Sequence, residues 1–393
     1  MTAATNWAAA TAVKVTVAIP YKRRLDNVVM ALEGLANQTM DAAEFEVVVG
    51  AMEYSEEYIA ACRRFTDRVN VVSVVSGRDF SIPRARNLAM RQASGEIVVQ
   101  MDADTLLPPT ALENLYERHF AYGQRVCVVG QVVGYDNNDQ SVEAVAALQF
   151  ADHMAALERL GASLDRPEDP RFQAEHVLPW AFAWTGLIAL PLAEVRAHDL
   201  YFDESFHGWG VDDLEWGYRI AAAGIPIVLR RDAYALHLPH LRDADANRVT
   251  EKLNYRRFLR KWPRPDVELS HAFGDVAANS LYQDFVKELR DVKRAGPFGV
   301  VRGVAEGRDV LLVGVKLDER FQVADRAALA FFDPASALEV LPLIGLALPY
   351  EDAEVEQCRV LPVLDGFSRR YRDAIDAETH RVARKVAAAA LGP

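Results

Sequence analysis

Residues 13–20 read VKVTVAIP and residues 96–104 read EIVVQMDAD, and these two apolar runs decide the fold class. Each is a short β-branched run with a sharp stop, which predicts a buried β-strand. Between them, apolar runs at residues 45–52 and 69–75 alternate with segments of helical periodicity. Strand and helix in alternation are typical of an α/β domain with a mostly parallel central sheet flanked by helices.

The carboxyl ends of the predicted parallel strands are the expected ligand site, because crevices in such sheets open at that edge. Three loops lie there, at residues 20–24, 51–55 and 102–105. We therefore expect these loops to converge on one crevice and to carry functional side chains.

The alternating pattern continues to about residue 233 and weakens after residue 265. Helices are predicted at residues 26–38, 55–68, 83–93, 108–121, 141–160, 213–223, 279–293 and 369–390. The later strands are predicted at residues 125–135, 180–190, 225–233 and 309–317. The chain is therefore predicted to have a leader at 1–12, a main domain at 13–265 and a helical or mixed α/β accessory domain at 266–393.

The composition is that of an acidic globular protein. Its 393 residues include 44 Lys and Arg against 56 Asp and Glu, and the net charge of −12 argues against a nucleic-acid binder. With 51% hydrophobic and 25% charged residues, the chain falls outside the collagen-like, coiled-coil and disordered classes. The length favours two domains. The sequence does not exclude assembly into a homo-oligomer.

Cysteine use and hydropathy favour a protein of the cytoplasm. Cys62, Cys127 and Cys358 show no spacing typical of a disulfide framework or a zinc site. The first residues lack the basic and apolar segments of a secretory signal. The most apolar run, at residues 340–348, is about half as long as the roughly 20 residues that span a bilayer, so we expect no transmembrane segment.

The first motif with chemical potential is Asp102-Ala103-Asp104, at the end of a predicted buried strand. Carboxylate oxygens are hard ligands, suited to Mg²⁺ or Mn²⁺ held together with substrate phosphates. The alternative is structural, since the two aspartates could solvate a strand end and cap the next helix.

The second motif is GWGVDDLEWGYR at residues 208–219. Glycines on both sides of Trp209 allow close backbone approach, so the indole face can stack on a sugar ring while the carboxylates meet its hydroxyls. A carboxylate beside a phosphate-bearing donor can also act as a general base toward an attacking hydroxyl. The alternative is a helix capping box formed by Asp212 and Glu215.

Histidines and arginines complete the set of candidates. His237 and His240 follow a predicted strand, and imidazole joins carboxylates around Mn²⁺. His237 is favoured as a ligand, whereas His240 is interpreted as a polar surface residue. Arg86 and then Arg84 are favoured as partners of diphosphate oxygens, although outward-facing helical arginines are the commoner explanation.

Three segments in order resemble the glycosyltransferases of family 2, which have the GT-A fold. They read VAIPYKRR at 17–24, ARNLAMRQASGEIVVQMDAD at 85–104 and FDESFHGWGVDDLEWGYRI at 202–220. The last segment is especially similar to galactosyl and N-acetylgalactosaminyl transferases, including the chondroitin-polymerase-like enzymes. The resemblance covers roughly residues 13–240 and implies a Rossmann-like GT-A domain.

The resemblance also implies site roles. Asp104 would bind the divalent ion that bridges a nucleoside diphosphate, with His237 completing the coordination, and Asp213 would be the catalytic base. Asp102 would bind the ribose of the nucleotide or lie next to the metal ion, and Asp212 would bind the acceptor. The remaining residues that the resemblance and the motifs assign to the donor or the acceptor are Pro20, Tyr21, Arg24, Arg84, Arg86, Ala103, Trp209 and Gly210.

Two places depart from the family pattern. The aspartate pair that often holds the nucleobase is replaced by Gly50-Ala51-Met52-Glu53, so either Glu53, on a shifted loop, or backbone groups would hold the base, and the identity of the nucleotide stays open. The usual Gly-Gly-Asn of the acceptor strand reads Trp184-Thr185-Gly186, and Trp184 and Gly186 are assigned to the acceptor subsite.

The implied function is a metal-dependent, inverting glycosyltransferase. It would use Mn²⁺ or Mg²⁺ to move a sugar from a nucleoside diphosphate sugar, by family default UDP-linked, to an acceptor hydroxyl on a glycan, natural product or peptide. Two alternatives stay open, namely a binding protein without turnover and a sugar nucleotidyltransferase. A nucleotidyltransferase would release pyrophosphate, and no glycine-rich phosphate loop is found near residues 13–25.

Overall fold

A computed structural model describes residues 12–134, 142–165, 169–240 and 243–388. These residues form two compact units. The first contains those up to Ala174 together with Pro179–Glu251, and the second contains Glu175–Leu178 with those from Lys252 onward. Residues 1–11 of the predicted leader lie outside the described residues, and the domain division at residue 265 stays a prediction.

An eight-stranded sheet forms the first unit. Its strands are β1 (Val15–Tyr21), β2 (Phe45–Ala51), β3 (Asn70–Val75), β4 (Ile97–Met101), β5 (Thr105–Leu106), β6 (Cys127–Gly134), β7 (Leu187–Pro191) and β8 (Ile227–His237). They lie in the order β3-β2-β1-β4-β7-β6-β8-β5. The half from β3 to β4 is parallel, whereas β7 is antiparallel to both of its neighbours.

Among the described residues, eight α-helices accompany this sheet. They are α1 (Leu25–Ala36), α2 (Glu56–Arg63), α3 (Ile82–Gln92), α4 (Ala111–His119), α5 (Val142–Ala146), α6 (Phe150–Gly161), α7 (Leu192–Ala197) and α8 (Asp212–Ala222). β2 and β4 are buried along their whole length, as expected of parallel strands covered on both faces. The predicted α/β class, with a mostly parallel central sheet flanked by helices, is confirmed.

The two-residue strand β5 has the largest effect on the site. It pairs antiparallel with the end of β8, with Thr105 opposite His237 and Leu106 opposite Leu236. The sequence does not predict β5, because two residues show no periodicity. This pairing brings the residue before β5, Asp104, beside the last residue of β8.

Three sequence predictions need correction. The predicted strand at residues 180–190 is a 3-10 turn, Pro179–Phe182, followed by β7, because a short buried apolar run does not reveal its own geometry. The predicted helix at 141–160 is two helices, α5 and α6, with residue 141 outside the described part. Cys62, Cys127 and Cys358 are buried free thiols.

The second unit contains a five-stranded sheet. Its strands are β9 (Phe298–Ala305), β10 (Arg308–Lys316), β11 (Glu339–Leu341), β12 (Val355–Val360) and β13 (Ala383–Ala388), in the order β11-β9-β10-β12-β13. Its helices are α10 (Pro265–Phe273), α11 (Asp275–Val292), α12 (Arg326–Phe331) and α13 (Arg369–Val382), and α9 (Ala244–Lys261) leads into it from the first unit. The predicted mixed α/β C-terminal region is confirmed.

The predicted final helix at 369–390 is the third correction. It ends at Val382, and the alanine-rich segment that follows is β13, which pairs in parallel with β12. Intrinsic helix propensity is overridden there by the hydrogen-bonding edge of a neighbouring strand. Residues 389 and 390 lie outside the described part. Among the described helices, none is both long and apolar enough to cross a membrane.

Candidate active site

The loops after β1, β2 and β4 meet at one edge of the sheet, as predicted. The backbone N–H of Arg23 donates to Glu53 Oε1 at 2.7 Å, which joins the first two loops. The Arg24 guanidinium donates to Asp104 Oδ2, which joins the first loop to the third. The parallel register of β1 with both β2 and β4 causes this convergence.

Asp104, His237 and His240 form a candidate metal centre. Each offers one ligand atom, and these three atoms lie within 4.8 Å of one another. His240 Nδ1 lies 3.1 Å from Asp104 Oδ2, and His237 Nε2 lies 3.6 Å from Asp104 Oδ1. The interpretation of His240 as a polar surface residue is wrong, because its side chain is only 10% exposed and turns toward Asp104. One carboxylate and two imidazoles suit a divalent transition ion better than Mg²⁺.

The charge on Asp104 is stabilised by its neighbours. Burial on its own would raise the pKa of this carboxyl, since only 2% of the residue is exposed. The hydrogen bond from His240 and the charges of His237 and Arg24 outweigh burial and hold the pKa of Asp104 below its ordinary value. Asp104 is therefore ionised at neutral pH, as a metal ligand must be.

We expect His240→Gln to raise the Kd for Mn²⁺ by at least about tenfold, the loss that even an outer-shell partner causes. The measurement is titration of the full-length protein with MnCl₂, followed by the electron paramagnetic resonance signal of free Mn²⁺. His198→Gln is the matched control, because His198 also contacts a carboxylate, Glu194, but its own side chain is 39% exposed. Unchanged Mn²⁺ affinity in His240→Gln would exclude His240 from the metal site.

Arg86 organises a second cluster of charged groups. Its buried guanidinium donates to Asp212 Oδ2 at 2.6 Å and to Asp102 Oδ1 at 3.1 Å. The same group also donates to the hydroxyl of Thr185. The helix α3 therefore supplies a cation between the two acidic motifs. Because Asp102 and Asp104 are two residues apart, the two clusters lie side by side.

Asp213 lies beside this cluster, in the first turn of α8. Its Oδ2 accepts a hydrogen bond from the backbone N–H of Thr185 at 3.3 Å, and its side chain stays partly accessible. Burial raises the pKa of Asp213 to about 7, and the neighbouring Asp212 carboxylate adds to this effect. A carboxylate with a pKa near the operating pH is suited to accept a proton from a substrate hydroxyl.

The turn before α8 has an unusual backbone. Gly208 and Gly210 have φ values of 74° and 91°, and Val211, which caps α8, also has a positive φ of 74°. A β-branched residue in this region is rare and strained. The capping-box alternative is wrong, because Asp212 is the first helical residue and Glu215 instead pairs with Arg219 at 3.0 Å. Burial raises the pKa of Asp212, although Arg86 acts in the opposite direction.

Trp209 presents its indole at the surface of this turn, where it is 40% exposed. The hydroxyl of Thr250, on α9, accepts from the backbone N–H of Trp209 and reaches its carbonyl oxygen, both at 3.1 Å. A side chain added at Gly208 would overlap Thr250, with a closest approach of 2.5 Å. Thr250 therefore holds the turn that carries Trp209.

We expect Thr250→Val to raise the KM of the acceptor about threefold to tenfold, the cost of about one lost hydrogen bond, with kcat within about twofold. Valine keeps the shape of threonine but cannot hold the Trp209 backbone. Steady-state kinetics with varied acceptor measures the effect. Thr66→Val is the control, since the exposed Thr66 hydroxyl also donates to a backbone oxygen. A fall in kcat with unchanged KM would contradict this role.

Trp184 and Gly186 lie on either side of Thr185, next to the Arg86 cluster. Gly186 has a φ of 135°, a conformation that favours glycine. The Arg171 guanidinium lies 4.9 Å from the Trp184 ring centre and is paired with Asp169 at 2.6 Å. These contacts support the segment between the 3-10 turn and β7, and the acceptor role of Trp184 and Gly186 stays a prediction.

The other predicted donor residues are Arg84, Tyr21, Pro20 and Ala103. Arg84 pairs with Glu204 at 3.0 Å rather than with either acidic motif. Tyr21 is buried and stacks on Tyr58 with ring centres 4.3 Å apart. Pro20 and Ala103 lie in β1 and the Asp102–Asp104 segment, respectively. Their roles at a nucleotide stay predictions.

Sequence reasoning missed Thr185 and Thr250. Thr185 joins Arg86 through its hydroxyl and Asp213 through its backbone N–H. Its position between Trp184 and Gly186 was the available signal. Thr250 had no sequence signal, because it contacts Trp209 only through the folded chain.

Residues 16–166 match the family model of glycosyl transferase family 2. The matched region contains Arg86, Asp102 and Asp104, whereas Asp213 and both histidines of the candidate metal centre follow it. The match supports the predicted resemblance to family 2 over this region. The narrower resemblance to galactosyl and N-acetylgalactosaminyl transferases stays a prediction.

Similar proteins of known sequence and structure extend the comparison. Validoxylamine A glucosyltransferase of Streptomyces hygroscopicus subsp. jinggangensis is 27% identical over 414 aligned positions, which cover 94% of this chain and 96% of the relative. The uncharacterised glycosyltransferase YfnE of Bacillus subtilis is 24% identical and covers 58% of this chain and 65% of its own. The crystal structure of S. aureus TarS 1-349 in complex with UDP-GlcNAc aligns with a TM-score of 0.47 at 15% identity, covering 70% of this chain and 71% of that one.

Proposed function

We propose that this protein is a metal-dependent, inverting hexosyltransferase that uses a nucleoside diphosphate sugar. The observation that carries the proposal is the adjacency of two sites. The candidate metal centre at Asp104 is two residues from Asp102, and Arg86 links Asp102 to Asp212 and to Thr185, which donates to the partly accessible Asp213, whose pKa is about 7. A metal centre suits a diphosphate leaving group, and a base suits a hydroxyl nucleophile.

In this mechanism Asp104, His237 and His240 would hold a divalent ion, with Mn²⁺ favoured by the two imidazoles. When bound, the ion neutralises charge that develops on the leaving diphosphate. Asp213 accepts the proton of the acceptor hydroxyl while that oxygen attacks the anomeric carbon. The C–O bond to the diphosphate breaks on the opposite face, so a single displacement inverts the anomeric configuration.

Arg86 and Asp212 position the base. The Arg86 guanidinium pairs with both Asp212 and Asp102, whereas the hydrogen bonds of Asp213 come from backbone N–H groups. Burial raises the proton affinity of Asp213, and the negative charge of Asp212 adds to this effect. In this proposal Asp212 binds the acceptor, Asp102 binds the ribose or stands beside the metal, and Trp209 stacks on a sugar ring.

The choice of donor and acceptor is supported by one relative. The name of the Streptomyces hygroscopicus protein describes a glucosyltransferase that acts on validoxylamine A, and the two chains align over nearly their whole length. We therefore propose that the donor carries a hexose and, from the family resemblance, that this hexose is linked to UDP. We propose a small hydroxylated molecule as the acceptor in preference to a polysaccharide or a peptide.

The test is a panel of nucleotide sugars with Mn²⁺, including UDP-glucose, UDP-galactose, UDP-N-acetylgalactosamine and GDP-mannose. We expect one donor to be hydrolysed slowly with release of a nucleoside diphosphate, and Asp104→Ala to abolish this release. Release of pyrophosphate would identify a nucleotidyltransferase instead. Donor binding without any turnover, with or without hydroxylated acceptors, would favour a binding protein.

The activity should depend on pH through Asp213. The base acts when ionised, and its pKa is about 7, so kcat/KM should fall about tenfold for each pH unit below that value. The measurement is kcat/KM from pH 5.5 to 9 with Mn²⁺ kept saturating at each pH. Residual activity of Asp213→Asn should lack this acidic limb. A limb that persists in the variant would assign it to another group.

A further inference from the structure

Arg24 occupies one of the two Asp104 carboxylate oxygens at the candidate metal centre, the one that His240 faces. Its guanidinium donates to Asp104 Oδ2, and His240 contacts the same oxygen. The Asp104 side chain is 3% exposed, whereas the Arg24 side chain is 42% exposed. The carboxylate is therefore fixed in the interior, while the guanidinium reaches it from the solvent side.

This contact is incompatible with metal bound at Asp104 Oδ2. A divalent ion and a guanidinium are both cations, and like charges at contact distance repel strongly in a buried site. A metal ion that takes this oxygen must displace the guanidinium. Arg24 belongs to the loop just before α1, and this solvent-facing position leaves its long side chain room to move.

A displaced guanidinium would have an anionic partner at the same edge of the sheet. The loop after β1 lies where parallel sheets bind their ligands. A guanidinium pairs with two phosphate oxygens at once, so a diphosphate bound to the metal is a suitable partner. The Arg24 side chain would then pair with a negative charge both without and with bound ligands. In the metal-free protein this charge is the Asp104 carboxylate, and in the protein with bound metal and donor it is the donor diphosphate.

We propose that Arg24 is an exchangeable counter-ion, which neutralises Asp104 in the metal-free protein and moves to the donor diphosphate when the metal binds. The inference rests on the proposed function. Arg24 weakens metal binding in the absence of nucleotide and strengthens nucleotide binding in the presence of metal. By linkage, each ligand then raises the affinity for the other through Arg24.

The test compares the full-length protein with Arg24→Gln, Arg24→Lys and Arg23→Gln after removal of metal by EDTA. Arg23→Gln is the matched control, because it removes one positive charge from the same loop but from a side chain that is 82% exposed and comes no closer than 4.0 Å to its carboxylate partner, Glu53. MnCl₂ is titrated first without nucleotide, with free Mn²⁺ followed by electron paramagnetic resonance. Then UDP, GDP and dTDP are titrated at saturating Mn²⁺ by calorimetry.

We expect Arg24→Gln to bind Mn²⁺ about tenfold more tightly without nucleotide, and its best nucleoside diphosphate about tenfold more weakly, as befits one charge-assisted hydrogen bond. Arg24→Lys should be intermediate in both titrations, and Arg23→Gln should change each by less than about twofold. Thermal melting of the metal-free proteins checks that the variants are folded.

Several outcomes would overturn the proposal. Equal or weaker Mn²⁺ affinity in Arg24→Gln would show that Arg24 does not compete with the metal. Unchanged diphosphate affinity would show that it does not move to the donor. If Arg23→Gln changed the Mn²⁺ and diphosphate affinities as much as Arg24→Gln, the effects would come from the net charge of the loop and not from the contact of Arg24 with Asp104. In each of these cases wild-type protein still binds Mn²⁺, whereas loss of all Mn²⁺ binding in the wild type would remove the metal site of the proposed function itself.

Discussion

Asp213→Asn should lower kcat about a thousandfold while the affinity for the donor stays within about twofold, because a general base contributes roughly a hundredfold to ten-thousandfold to the rate. Asparagine keeps an oxygen that can accept from the Thr185 backbone N–H, so the local geometry is preserved. It cannot take a proton from the acceptor hydroxyl. Single-turnover kinetics with labelled donor, together with calorimetric donor binding, separates the two quantities.

The control for this substitution is Asp67→Asn, which makes the same exchange at an exposed residue. A second readout excludes unfolding as the cause. The pKa of Asp213 in the folded state, about 7, lies above the unfolded value near 4, so the contribution of Asp213 to stability falls as the pH rises from about 4 to about 7. Asp213→Asn should therefore be about 1–3 kcal/mol more stable than wild type at pH 8 in urea unfolding, and similar at pH 4. A variant with normal kcat would assign the base elsewhere.

Arg86→Gln should destabilise the protein by about 3–5 kcal/mol, because it leaves the buried Asp212 carboxylate without its counter-ion and also removes the partner of the partly exposed Asp102. Arg86 is 5% exposed and pairs with Asp212, which is equally buried, and with Asp102. Its guanidinium also lies 5.0 Å from the centre of the Phe202 ring, so packing is lost as well. Urea unfolding of the metal-free protein at pH 8 measures the change.

The matched control is Arg84→Gln, two residues earlier on α3. Arg84 pairs with Glu204, and both side chains are partly exposed, so the expected loss is below about 1 kcal/mol. The double variant Arg86→Gln with Asp212→Asn should recover part of the lost stability, because it removes one of the unpaired charges. Equal destabilisation by both arginine variants would contradict the assigned role of Arg86.

The sequence predicts the sheet and one half of the site well, for a physical reason. Strands buried on both faces appear in the sequence as continuous apolar runs. Because neighbouring strands are parallel, the residues that follow their carboxyl ends lie at the same edge of the sheet. The sequence alone therefore places Asp102, Asp104 and Glu53 at a common crevice. The helix that begins at Asp212 was also recognisable, since its acidic first turn follows two glycines.

The rest depends on contacts between distant parts of the chain. His240 looked like a surface residue because a short polar segment after a strand has no periodicity, and its meeting with Asp104 requires the β5 and β8 pairing. The alanine-rich segment at β13 looked helical because propensity is local, whereas its partner β12 is formed by a different part of the sequence. Thr250 supports Trp209 from another helix altogether.

The pairing of β5 with β8 has a consequence for the folding of the first unit. Asp104 and the two histidines are far apart in the chain, so the metal-binding atoms come together only after the long intervening segment has folded. A metal ion that binds the folded state alone shifts the folding equilibrium, by about 2.7 kcal/mol at a concentration one hundred times its Kd. The divalent ion would thus stabilise the fully folded first unit and not partly folded forms. A nascent or truncated chain that lacks β8 would have no complete metal centre and would not retain the ion.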